Sequence, residues 1–137
     1  MLIFAGPDEA DLQTQMAELM RSKPILVRNL GLRQLAALIQ RCHLYIGNDT
    51  DPMHIAAAMG TQVVSMFGST NASRSGPYGN GHIVISTKLG CAPCHPGKHP
   101  AGCKRGSCLA MESIPFDQVA NIVGKIINEK KEWYITC

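Results

Sequence analysis

The sequence predicts an α/β fold: a Rossmann-like parallel sheet of about five strands flanked by helices, forming one domain over residues 1–137. Three observations predict it. Short apolar runs alternate with stretches of helical periodicity. The runs are apolar on nearly every residue, as strands covered on both faces are. Several runs pass directly into turn and cap signals that open a helix.

Leu2 to Ala5 reads as a buried strand, and Gly6-Pro-Asp-Glu as the turn before a helix that reaches about Met20. Leu12, Met16, Leu19 and Met20 are spaced to lie on one side of that helix. Pro24 to Val27 is the second strand. Leu30 to about Arg41 is a helix with Leu35, Leu38 and Ile39 on one side. Leu44 to Ile46 is a strand, Pro52 to Met59 a short helix, Gln62 to Phe67 a strand and His82 to Ile85 the fifth. From Lys88 to about Met111 the pattern gives way to a Cys-rich loop. Phe116 to Lys130 is the last helix, with Val119, Ile122, Val123, Ile126 and Ile127 as its buried stripe. Right-handed crossovers would place ligands beyond the carboxyl ends of the strands.

Composition narrows the function. A net charge of +3 and 5% aromatic residues give neither the basic surface nor the stacking platform of a nucleic-acid binder. No apolar run approaches the ~20 residues that span a bilayer. The amino terminus shows no signal-peptide pattern, so the expected compartment is the cytoplasm.

Chemistry concentrates between Tyr45 and Gly60. An apolar run ends in Gly-Asn-Asp-Thr, and a Pro then opens a small-residue helix with His54 in its first turn. Pro52 suits the first helical position, which makes Asp51 the expected N-cap. Free amides at such a helix end attract phosphate or another anion. Asp49 and Thr50 would point from the strand end toward a polar ligand, the amides of Asp51, Pro52, Met53 and His54 would hold a diphosphate, and the His54 side chain would add a donor. The plainer alternative is a good cap and a satisfied helical His. Residues 67–79 form a second polar loop on the same edge. Arg74 is the cation there, either meeting an anion or simply solvated.

These motifs carry a resemblance. Residues 47–60, Gly-Asn-Asp-Thr-x-Pro-Met-His-Ile-Ala-Ala-Ala-Met-Gly, are followed by 63–79, Val-Val-Ser-Met-Phe-Gly-Ser-Thr-Asn-x-x-Arg-x-Gly-Pro-Tyr-Gly, and by a Cys-x-Pro-Cys loop. Together they resemble the carboxyl-terminal, donor-binding half of the bacterial lipopolysaccharide heptosyltransferases, glycosyltransferase family 9. The resemblance implies the second Rossmann-like domain of a GT-B architecture. It implies an ADP-heptose donor, a lipopolysaccharide inner-core acceptor and inverting transfer without a catalytic metal, at the cytoplasmic periphery of the inner membrane. It matches Asp49 to a contact with the donor sugar, Thr50 and the following amides to a diphosphate cradle, His54 to the His beside it, and Glu9 to an acidic residue near the donor ribose. Where the family pattern has Gly, this chain has Asp51, a carboxylate that repels a diphosphate. The family's acceptor domain, with its general base, precedes the region matched. The chain alone is therefore expected to contain no catalytic residue and to lack transferase activity. Apolar surface left by a missing domain makes self-association a candidate.

Cys91, Cys94, Cys103 and Cys108, with His95 and His99 nearby, have the composition of a tetrahedral structural zinc site. Reduced thiols and disulfides are the alternatives, and the second is disfavoured in the cytoplasm. Lys88, Lys98, Lys104 and Arg105 make this loop basic, as a solvated charge run or a surface facing an acidic acceptor. Cys42 and Cys137 read as a core thiol and a tail residue. A non-catalytic interaction module stapled by metal is the competing function; a sugar-nucleotide epimerase would not explain the Cys loop.

Overall fold

The computed structural model describes residues 1–87, 89–94 and 108–135. Among these, strands and helices alternate as β1 (Leu2–Phe4), α1 (Ala10–Glu18), β2 (Ile25–Val27), α2 (Leu32–Gln40), β3 (Tyr45–Asn48), α3 (Asp51–Ala58), β4 (Val63–Phe67), α4 (Ala72–Ser75), β5 (Ile83–Ser86), α5 (Leu109–Glu112) and α6 (Phe116–Ile135). All strand pairs are parallel. The five expected strands are present, but as a two-stranded sheet, β1–β2, and a three-stranded sheet, β3–β4–β5. Apolar periodicity reports that a segment is a buried strand; it carries no information on which neighbours exchange backbone hydrogen bonds. The polar loop after β4 contains the single turn α4, and the end of the Cys-rich segment is the turn α5.

The chain forms two compact units, Met1–Leu38 and Ile39–Cys137. In the first, β1 and β2 pair through Leu2–Ile25, Ile3–Leu26 and Phe4–Val27. Helix α1 departs from its sequence reading. Leu12 and Met16 are exposed and Leu19 is 87% exposed, whereas Gln13 is buried. The cause is a set of hydrogen bonds. Gln13 Nε2 donates to the Ile3 carbonyl at 2.6 Å and to the Val27 carbonyl at 3.2 Å, tying the helix to both strands. Its Oε1 accepts from Arg28 Nε, and Arg28 Nη2 donates to the Ala10 carbonyl and to Thr14 Oγ1. A buried amide with every partner in place costs little, but its removal orphans the groups it served. Gln13→Leu is expected to lower the unfolding free energy by about 2 kcal/mol in urea titrations.

The second unit holds the apolar core. Val64, Ile85 and Ile126 form its centre, and Val119, Ile122 and Val123 of α6 pack against them. Ile127, expected in the same stripe, is 44% exposed: the 3.6-residue turn carries it past the seam that Ile126 occupies. On β4, Val63, Val64, Ser65 and Phe67 are all buried, as a central parallel strand requires. Ile39 of α2 is buried, and its carbonyl accepts a buried hydrogen bond from Thr61 Oγ1 at 2.9 Å. Helix α3 stops where its geometry must. Gly60 takes φ +76°, Thr61 N–H donates to the Ala56 carbonyl and Gly60 N–H to the Ala57 carbonyl, a Schellman motif in which a positive φ favours glycine. Two ladders then fix β3 against β4 and β4 against β5, so the carboxyl ends of all three strands open on one edge.

Candidate functional site at the carboxyl end of β3

Strand β3 ends at Asn48, and Asp49 and Thr50 lead into α3. The extended residue at the helix start is Thr50 (φ −141°, ψ 164°), so Thr50 is the N-cap and Asp51 the first helical residue. This shifts the sequence reading by one position. Proline's fixed φ suits the whole first turn, so Pro52 is accommodated at the second position as readily as the first. No side chain caps the helix by a hydrogen bond.

The expected cradle of four amides is thinner than the sequence reading. Pro52 has no N–H, Met53 N–H donates to the Thr50 carbonyl at 3.0 Å, and His54 stands where regular helical bonding begins. Thr50 N–H is engaged with the Asn48 carbonyl at 2.9 Å. Among the described residues, the Asp51 amide is the donor left at the helix mouth. Met53 contributes no side chain here, because it is fully buried in the core.

Asp49 is held in place. Its Oδ2 shares the Ser75 Oγ proton with the Asn71 carbonyl, each at 3.2 Å, and its Oδ1 lies 4.0 Å from His54 Nε2. The carboxylate side chain is 15% exposed and the imidazole 48% exposed. At 4.0 Å the pair is too long for a hydrogen bond. The carboxylate is therefore positioned by Ser75, and the imidazole can turn toward a ligand. Ser75 was not among the residues the sequence singled out, and it stands 26 positions away; only the fold brings it to Asp49.

Tyr45 is a second residue that the sequence reading missed. A methyl group on Gly47 would stand 2.8 Å from the Tyr45 ring edge and hydroxyl, so the ring lies directly over that glycine. The strand alternation that puts residues two apart on one face was the available signal. The Tyr45 phenol faces the Thr50 side chain at the helix entry. Burial pushes the phenol above its ordinary value, and the Thr50 side chain offsets part of that rise. A raised folded-state pKa means that this contribution to stability is present below about pH 10 and is lost as the pH climbs further. Tyr45→Phe should therefore flatten the alkaline limb of a stability–pH curve measured by denaturant unfolding.

The remaining candidates are placed separately. Arg74 is exposed on α4. Glu9 belongs to the first unit, where its Oε2 accepts from Gly6 N–H at 2.8 Å, so the carboxylate closes its own turn. The zinc expectation is not supported. Cys103 lies outside the described residues, as do Lys88, His95, Lys98, His99, Lys104, Arg105 and Cys137. Among the described residues no group of three His, Cys, Asp or Glu side chains could hold a metal ion. The Cys94 thiol instead donates to the Cys91 carbonyl at 2.7 Å, and Cys108 packs at the Gly68 corner that follows β4. Cys42 is half-buried rather than part of the core, and burial pushes its thiol up. No helix among the described residues is long and apolar enough to cross a membrane.

The model of glycosyltransferase family 9 (heptosyltransferase) matches residues 1–104, a span that contains β3, α3 and the loop after β4. The chain belongs to glycosyltransferase family 9. Its relatives in that family include the lipooligosaccharide heptosyltransferase 2 of Campylobacter jejuni, 32% identical over 100 residues that cover 69% of this chain and 31% of the relative. The crystal structure of a family 9 glycosyl transferase from Veillonella parvula superposes with a TM-score of 0.78 at 29% identity, over 93% of this chain and 36% of that one. The Escherichia coli ADP-heptose LPS heptosyltransferase II shares the fold, with a TM-score of 0.74 at 16% identity, over 95% of this chain and 37% of that one. The chain thus spans about a third of the length of the family 9 proteins it matches.

Proposed function

We propose that this chain is the donor-binding part of an inverting, GT-B heptosyltransferase that takes ADP-heptose as donor and the lipopolysaccharide inner core as acceptor. The observation that carries the reading is Asp49, a carboxylate fixed by Ser75 beside a helix mouth that no side chain caps. A carboxylate so placed accepts hydrogen bonds from sugar hydroxyls, while the helix mouth and the His54 imidazole face the diphosphate. As the bond from sugar to phosphate breaks, negative charge collects on the departing ADP; a fixed N–H dipole and a nearby donor stabilise that charge without reorganising. None of the residues placed at this site acts as the nucleophile's base, so donor binding is the part of the reaction assigned to them. The family relatives' names supply the ADP-heptose and the lipooligosaccharide or LPS acceptor. The compartment that follows is the cytoplasmic face of the inner membrane.

Calorimetric titration with ADP and with ADP-heptose tests this. The expected result is weak, saturable binding of both, with Asp49→Ala reducing the ADP-heptose affinity more than the ADP affinity. Absence of heat with either ligand, for protein whose circular dichroism is that of the folded chain, contradicts it.

A further inference from the structure

The unit Met1–Leu38 is described throughout, and it contains no buried Val, Ile, Leu, Met or Phe. Its buried residues are Gln13 and Pro24. Units below about 40 residues seldom bury enough apolar surface to be stable unaided, and oligomerisation is one usual remedy. Helix α1 shows where the apolar surface has gone. Gln13 anchors the helix on β1 and β2 through the Ile3 and Val27 carbonyls. Leu12, Met16 and Leu19 recur at intervals of four and three residues, so they share one side of the helix, roughly a quarter-turn from Gln13. The C-cap Leu19 keeps a helical conformation and extends that stripe. All three side chains are exposed.

Charge along the same helix says what covers it. Asp8 and Asp11 stand at its amino end, Arg21 and Lys23 lie just past its carboxyl end, and all four are exposed. That sorting suits the helix dipole. It also makes the helix complementary to itself. A twofold axis across Gln15 and Met16 sets two α1 helices antiparallel, the arrangement of an isologous contact. Leu12 of one copy then meets Leu19 of the other, and Met16 meets Met16. Asp8 and Asp11 of each copy approach Arg21 and Lys23 of the other, and Glu18 comes opposite the uncharged Thr14. A parallel pair would instead set like charges side by side, and a partner helix of one sign would be repelled at one end.

We propose that α1 is a self-docking surface, through which two copies of this chain associate by antiparallel α1 helices. Leu12, Met16 and Leu19 supply the apolar seam, and the opposite charges at the two helix ends set its register. Three apolar side chains from each copy make a small interface, so the dimer is weak and concentration-dependent.

Sedimentation velocity of the 137-residue protein, from about 10 to about 500 µM, tests the proposal. The weight-average sedimentation coefficient is expected to climb with concentration from the monomer value toward the dimer value, with its midpoint at about 100 µM. Added salt should lower it, because the registering charges are exposed. Met16→Glu sets two carboxylates at the axis and should raise the dissociation constant at least about tenfold. Met16 is exposed, so circular dichroism of this variant should match the parent's. Arg21→Asp should weaken the dimer, and adding Asp11→Arg to the same chain should restore it, a recovery that an indiscriminate apolar patch would not show. Protein that stays monomeric over the whole range overturns the proposal. So does a dimer indifferent to Met16→Glu, or a double variant no tighter than Arg21→Asp alone. These measurements use no nucleotide, so their outcome is independent of donor binding.

Discussion

Phe67→Ala is expected to lower the unfolding free energy by about 3–5 kcal/mol, the range for removing a buried aromatic ring. Phe67 heads the fully buried side chains by volume and is 1% exposed at the end of β4. It pairs in register with Ser86 of β5, and the next residue, Gly68, is packed against Cys108 and Met111. A void at Phe67 therefore opens beneath the corner from which the loop into α4 departs. A domain of ordinary stability, about 5–15 kcal/mol, would lose a large share of it. Urea titration gives the magnitude. Loss below about 1 kcal/mol would mean that the ring is not the core residue its burial indicates.

Much of the fold was legible because parallel strands and core-facing helices leave strong apolar patterns. The run from Val63 to Phe67 is buried as its composition predicts, and α6 packs through Val119, Ile122 and Val123 as spaced. Helix α3 was read as ending at Met59, and the structure shows the motif at Gly60 that ends it. The failures share a cause: hydrogen bonds override apolar spacing, and spacing does not see them. Gln13 displaces Leu12 and Met16 from the buried side of α1 because three carbonyl and guanidinium contacts are satisfied by its amide. The site was half-legible. Asp49, Thr50 and His54 stood out as a strand-to-helix junction, but the one-residue shift of the cap depends on the backbone conformation of Thr50. Ser75 and Tyr45 act through contacts that no local pattern reports.

Asp51→Gly is expected to tighten ADP binding about tenfold. Asp51 is exposed in the first turn of α3, at the one helix-mouth amide left for a phosphate. A like charge about 4 Å from a phosphate oxygen costs roughly 1 kcal/mol in water and up to about 4 where the effective dielectric is near 20. Exposure keeps the penalty toward the lower figure, and about 1.4 kcal/mol is one factor of ten. The same carboxylate favours the positive end of the helix by about 0.3–1 kcal/mol, so the variant should also be slightly less stable. Calorimetry and urea titration separate the two effects, which have opposite signs. Unchanged affinity would show that the carboxylate turns away from the ligand and that the departure from the family's glycine is neutral.

The central claim is that a diphosphate sits at the junction of β3 and α3, and amide NMR during an ADP titration reads it most directly. The account predicts saturable shifts of the Asp49, Thr50 and Asp51 amides, with Asp51 moving furthest and the β5 amides unaffected. ADP that leaves these three amides unmoved while the spectrum stays well dispersed, or that shifts another part of the chain instead, would contradict it.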